Sequence, residues 1–490
     1  MLLRGFRLML AVLALGTVAA CGGESDRPVV VAVVGDSATP FATGPRLPVA
    51  AQLLRSATAE GLVSFDEQGR VIPALADRWI VTDDGLSYIF RLRDGTWNDG
   101  SEITGESARE SLQRAIGAVR GTPLGLDLAV ITDVRAMAGR VIEIRLSQQV
   151  PDMLQLLAQP ELGLLRRNRG AGPMILTRDK DSALLRPIPP EDRGLPAEEG
   201  WADRSRRLRL DAMPAQTAIT LFNKGKVDVV LGGRFEDFPR IDASGVSRGA
   251  LRLDPVAGLF GLVVVHADGF LALPENREAI AMAIDRDAVG TALGVGGWTA
   301  TTRIVNPGLA GDNGTVAERW PGRTADERRA LAASRVQKWK AGGKGAVTLR
   351  LAMPSGPGAD QLYARLAADL KAIGIAPQRV RADADADLRL LDTVARYPRA
   401  DWFLNQFACS SARGLCSAAA DRLAGDARDE PDAAKRADLY AQAEAQLTIA
   451  NGYIPLGVPI RWSLVSGDTT GFAVNAWNIH PLLPLALRPK

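Results

Sequence analysis

Short apolar runs of strand length alternate with stretches of helical spacing along most of this chain. That alternation restricts it to α/β architectures with largely buried sheets. Val29–Val34 is an uninterrupted apolar run closed by Gly35-Asp36, the pattern of a strand covered on both faces. Further strands are predicted over 62–65, 88–92, 140–146, 208–210, 227–231, 262–265, 347–352, 388–391 and 402–407. Helices are predicted over 53–62, 107–119, 215–223 and 432–449. Leu362, Leu366, Leu370 and Ile373 mark another, which Gly374 is placed to stop. Thr104 is placed to cap the 107–119 helix, and Ser107 with Glu110 fits a weaker capping box. Pro187, Pro189, Pro190 and Pro196 lie among charges and make 186–199 a surface loop.

The chain has 490 residues, too many for one ordinary domain and enough for two or three. Its first residues run from basic (Arg4, Arg7) through an apolar stretch over 8–15 to small residues at Val18-Ala19-Ala20 before Cys21. That order predicts a secretory leader over 1–20. The apolar stretch is well short of the roughly 20 residues that cross a bilayer. Val18-Ala19-Ala20-Cys21 resembles a lipobox, preferred here over an ordinary leader that happens to end at a cysteine. Acylated Cys21 would anchor the chain to a membrane surface through lipid, with 21–27 as tether. The formal charge of +3 points to no nucleic-acid partner. An exported chain can keep a disulfide, so Cys409 and Cys416 are read as bridged, the alternative being two buried thiols.

Residues 61–114 read GLVSFDEQGRVIPALADRWIVTDDGLSYIFRLRDGTWNDGSEITGESARESLQR. Within them Pro73-Ala74-Leu75-Ala76, Trp79, Asp84-Gly85, Tyr88, Phe90, Leu92-Arg93-Asp94-Gly95, Trp97 and Asp99-Gly100 follow in order. Later come Gly170-Ala171-Gly172-Pro173, Lys224 to Asp228, Arg277 to Arg286, Leu370 to Ile375 and Tyr453 to Leu456. These stretches together resemble the family 5 extracellular solute-binding proteins of ABC importers, which bind dipeptides, oligopeptides or nickel. Met174 departs from the aromatic that the family carries there. The motifs also have a plain structural reading: the Asp-Gly pairs are turns, Trp79 and Trp97 pack cores, and Asp285 caps a helix with Arg286 as ion-pair partner.

The resemblance implies a periplasmic-binding-protein fold, type II-like with an extra lobe, whose two main lobes are joined by a two-strand hinge. Lobe I would comprise 28–51, 162–261 and 472–490, lobe II 52–161, and lobe III 262–471. The hinge strands would lie near 262–266 and 465–472. It implies capture of a small peptide or peptide-like ligand between lobes, delivery to an ABC permease, a monomer on the periplasmic face, and neither cofactor, metal nor catalytic residue. In peptide-binding members an aspartate pairs with the ligand's ammonium; by spacing that position falls at Ser410, so the aspartate is missing. Asn405, Phe407, Ser410 and Arg413 are expected to line one wall of the cleft. Asp36 and Ser37 are expected on the other, with Asp36 as a substitute partner for an ammonium.

Other readings compete. Val33-Val34-Gly35-Asp36-Ser37 resembles the GDS block of SGNH esterases, but that chemistry needs a positioned histidine. The D-x-x-H pattern fails at both histidines, since Val263 precedes His266 and Trp477 precedes His480. Two separated histidines without a Cys/His cluster argue against a protein-only metal site. A sensor or scaffold of the same fold, with no permease, leaves no motif to distinguish it.

Overall fold

A computed structural model describes residues 27–489. The leader and Cys21 lie outside them. Val29–Val34 lies inside a seven-stranded sheet ordered Leu251–Leu253, Arg461–Val465, Val229–Arg234, Val29–Val34, Leu208–Met213, Ser182–Pro187 and Met174–Asp179. It runs parallel to both neighbours, with Val29 opposite Leu208 and Val31 opposite Val229. Helix Val49–Thr58 sets Ala50, Leu53, Leu54 and Ala57 against this sheet at helical spacing. It begins and ends four residues before the expected 53–62.

A second sheet of four antiparallel strands runs Ala76–Val81, Ser87–Leu92, Val141–Leu146 and Ile131–Met137. Helix Gly105–Ala118 covers it. Its capping box is formed by Thr104 and Ser107, each side chain accepting from the other's backbone N–H at 3.1 Å; the expected Ser107–Glu110 box does not form. Trp97 is buried and donates to Ser107 Oγ at 3.1 Å, so it locks that helix start to the sheet.

The third sheet has five strands in the order Ile375–Arg381, Val347–Met353, Leu388–Val394, Gly258–Val264 and Tyr453–Gly457. Helix Pro357–Ala372 backs it with Leu362, Leu366 and Leu370, and Gly374 follows at φ 85°. Its other apolar face is continuous with the core of the four-stranded sheet.

Two expectations give way here. The 402–407 run is helical: Ala400–Asn405 forms a short helix against helix Ala433–Ala450, and helical winding buries Trp402, Phe403, Leu404 and Asn405 together. Asp285 caps helix Arg286–Leu293 by accepting from Ala288 N–H at 3.1 Å, but Arg286 does not pair with it. Arg286 is buried and donates to the carbonyls of Pro455 and Ala281, and burial, then Arg319 and Arg328, presses its pKa down to about 10.

The chain passes between the seven- and five-stranded sheets twice, over 254–257 and 458–460. The expected hinge segments, 262–266 and 465–472, lie beyond these crossings. Gly258–Val264 is already a strand of the five-stranded sheet, and Arg461–Val465 belongs to the seven-stranded one.

Just past the second crossing, Trp462 is fully buried over Gly233 and donates to Arg234 O at 2.8 Å. A Cβ at Gly233 would stand 2.1 Å from the indole. Gly233→Ala is therefore expected to lose about 1–3 kcal/mol by overpacking, read from the urea midpoint; an unchanged midpoint would mean the indole moves freely.

Candidate ligand-binding cleft

A cavity of about 380 Å³ opens on the five-stranded sheet, lined by Arg46, Val263, Arg389, Leu390, Leu391, Asp392, Thr393, Ser411, Ala412 and Arg413. Strand Leu388–Val394 forms its floor. Arg46 reaches it from the loop before helix Val49–Thr58, and 411–413 from the loop after Ala400–Asn405.

Asp392 is the acidic member of this lining. Its side chain is 1% exposed and accepts from Arg461 at 2.8 and 3.0 Å and from Arg234 at 2.9 and 3.1 Å. Both arginines come from the seven-stranded sheet, so the ion pairs tie the two sheets together. Asp392's charge raises the pKa of Arg234; burial lowers that of Arg461, with Asp392 opposing. Both guanidiniums are charged, because a shared buried carboxylate answers them.

The loop that carries Arg413 is closed by a disulfide between Cys409 and Cys416. Ala412 sits within it at φ 48°, a left-handed conformation that turns the chain just before Arg413.

Of the residues expected to line the ligand cleft, Arg413 lies on this cavity. Asn405 is buried elsewhere, donating to Asp127 at 2.6 Å and accepting from Arg428 at 3.3 Å. Phe407 is a core residue, its ring 4.7 Å from that of Tyr453. Ser410 is exposed and, with Asn405, lines a separate space of about 100 Å³ between helices. A helix at 400–405 turns Asn405 inward, where a strand would have alternated its side chains between two faces. Asp36 and Ser37 are exposed in the turn after the first strand, where Asp36 O accepts from Thr39, and neither lines the cavity.

Sequence reasoning missed Arg46, Arg389 and Asp392. An aspartate inside the apolar run LRLLDTV was the available signal, since a buried carboxylate demands a cationic partner.

The serine–histidine arrangement of the GDS reading is not assembled among the described residues. Ser37 makes no hydrogen bond to either histidine there; His266 pairs with Asp385 at 2.9 Å and His480 with Asp254 at 3.1 Å. Among the described residues no group of three or more His, Cys, Asp or Glu is placed to hold a metal ion. No helix among them is long and apolar enough to cross a membrane.

Comparison with known proteins adds to this geometry. The profile of the bacterial extracellular solute-binding proteins, family 5 (middle region), matches residues 70–181 and 201–414. A probable di/tripeptide-binding protein of Pseudomonas aeruginosa is 25% identical over 485 residues, covering 87% of this chain and 89% of that protein. A probable deoxycholate-binding periplasmic protein of Escherichia coli is 36% identical over 121 residues, covering 21% of this chain and 23% of that protein. The crystal structure of Haemophilus influenzae OppA in complex with RPPGFSPFR superposes with a TM-score of 0.80 at 17% identity, covering 95% of this chain and 100% of that one. At that identity the likeness is one of fold: a type II-like periplasmic-binding-protein fold.

Proposed function

The chain belongs to the bacterial extracellular solute-binding proteins of family 5, and from that membership we propose that it captures a small peptide or peptide-like solute between its sheets and delivers it to an ABC permease. Proteins of this family and fold are substrate-binding proteins rather than enzymes. The observation that carries the reading is the 380 Å³ cavity over strand Leu388–Val394 of the five-stranded sheet, to which Arg46 comes from the loop before helix Val49–Thr58, a helix packed on the seven-stranded sheet. A volume of that order suits a small ligand, and a site between lobes lets closure depend on contacts made to both. The names of the similar proteins support a peptide-like solute: one is a probable di/tripeptide binder and another was crystallised with a peptide. In this proposal the hinge is the pair of crossings at 254–257 and 458–460, two short extended segments with few residues to reorient. Export, acylation at Cys21 and a monomer held at the periplasmic face belong to the same reading.

The test is thermal denaturation of the full chain in detergent against di-, tri- and oligopeptides, sugars and metal chelates. A true ligand at about 100 times its Kd adds about 2.7 kcal/mol of stability. Stabilisation by peptides or peptide-like acids is the expected result. Stabilisation by sugars or chelates alone would replace the ligand class, and silence across all of them would leave a sensor or scaffold of the same fold.

A further inference from the structure

The loop over 44–46 separates two cavities. The first is the 380 Å³ space lined by Arg46, Arg389 and Arg413; the second, of about 540 Å³, is lined by Arg55, Arg114 and Arg167. Each lining also contains one carboxylate, and each carboxylate is already answered. Asp392 is taken by Arg461 and Arg234. Glu161 accepts from both terminal nitrogens of Arg396 at 2.8 and 2.9 Å. Burial pushes Glu161 up, but Arg396 outweighs it and holds the carboxyl below its ordinary value. What remains unbalanced along the cleft is positive.

In the first cavity the surplus concentrates at two residues. Arg389 commits its guanidinium to the carbonyls of Ala382 and Ala384, and Arg114 donates to Leu165 O and Ser111 Oγ. Arg46 and Arg413 make no hydrogen bond or ion pair among the described residues, yet they face the same cavity from different parts of the fold. Arg413 is half-buried, and burial and then the neighbouring Arg46 charge press its pKa below the ordinary arginine value. A partly desolvated cation beside a like charge is unfavourable until an anion joins it. Two guanidiniums across a small cavity suit a carboxylate, which accepts two N–H donors from one fork. The disulfide at 409–416 and the left-handed Ala412 hold Arg413 in place before any ligand arrives.

We infer that the cleft recognises its solute through a carboxylate or equivalent anion clamped between Arg46 and Arg413, and that an ammonium-headed ligand is disfavoured there. The inference deepens the solute-capture reading and rests on it.

Calorimetric titration of the full chain in detergent tests it with three sets of dipeptides of the same sequences. One is N-acetylated with a free carboxylate, one is a C-terminal amide with a free ammonium, and one is blocked at both ends. The acetylated acids are expected to bind best and to weaken as salt is raised. Arg413→Gln and Arg46→Gln should each weaken them about 10- to 100-fold. Without ligand, the Arg413→Gln protein should melt at or above the wild-type temperature, because the guanidinium it lacks had no partner to lose. Tighter binding of the ammonium-bearing amides, or unchanged acid affinity in either variant, would overturn the clamp and leave solute capture standing. If all three sets fail to bind, dipeptide capture falls and the clamp with it, while the longer peptides, sugars and chelates of the thermal test still decide solute capture.

Discussion

Asp392→Ala is expected to cost about 3–5 kcal/mol of stability, the loss typical of leaving a buried charge without its partner. The carboxylate is almost fully buried, and Arg461 beside it is only 7% exposed. Truncation therefore strands Arg461 in a place that water does not reach. Arg234 suffers less, because it is more open and has Glu236 at 3.4 Å as a second acid. The loss should appear as a lower urea midpoint with an unchanged slope. The double variant Asp392→Ala/Arg461→Met should recover part of it, since removing both charges also removes the desolvation penalty. A single-variant loss below about 1 kcal/mol, the ordinary value for an exposed pair, would show that water reaches Arg461 after all. Since the pair joins the floor of the cleft to the seven-stranded sheet, its loss should also weaken ligand binding.

Asp127 should make stability fall as pH rises, and Asp127→Asn should abolish that dependence. It lies at the end of the short helix Pro123–Asp127, against the Ala400–Asn405 helix, where Oδ1 accepts from Asn405 and Oδ2 has no partner among the described residues. Burial, then the charge of Asp401, pushes its pKa up to about 8, with Asn405, Tyr397 and Arg396 opposing. The direction follows from linkage. Below pH about 4 the carboxyl is neutral in both folded and unfolded chains and costs nothing. Between about 4 and 8 the unfolded chain ionises first, so stability declines; above 8 both are ionised and the loss is complete. Each pH unit separating the folded and unfolded pKa is worth about 1.4 kcal/mol, so the decline amounts to several kcal/mol. Urea midpoints at pH 4, 6 and 8 should therefore converge with the asparagine variant at pH 4 and fall below it at pH 8. Parallel curves for the two proteins would mean that Asp127 is ionised in the native state.

Local pattern explains which parts of this fold were readable. Val29–Val34 and Ala215–Asn223 match expectation residue for residue: one is a pure apolar run with a turn after it, the other an amphipathic stretch between Pro214 and Gly225. Trp402 to Phe407 reads as a strand because aromatic, apolar runs of that length suit a buried strand as well as a buried helix. Packing of Ala400–Asn405 against Ala433–Ala450, a contact no local window contains, decides between them. Arg413 was readable as the one charge in its loop. Arg46 was not, because nothing near it in sequence says that 44–46 meets the strand at Leu388–Val394. Asp392 likewise depends on arginines 69 and 158 positions away. The family resemblance implied three lobes, and its aspartate position leads to Ser410, which does not line the 380 Å³ cavity.

The place of Arg461–Val465 in the seven-stranded sheet bears on the order in which the molecule can assemble. This strand enters between Val229–Arg234 and Leu251–Leu253, so it bridges two segments made some two hundred residues earlier. No fragment ending before residue 461 can hold Leu251–Leu253 in the sheet, cover Gly233, or neutralise Asp392 with Arg461. Contacts of such sequence separation are slow to form, because the loop must close before they return anything. The five-stranded sheet and its helices can be complete while the seven-stranded one still has a gap at its edge. The last thirty residues therefore act as a keystone: until they arrive, the seven-stranded sheet has a gap and Asp392 lacks Arg461.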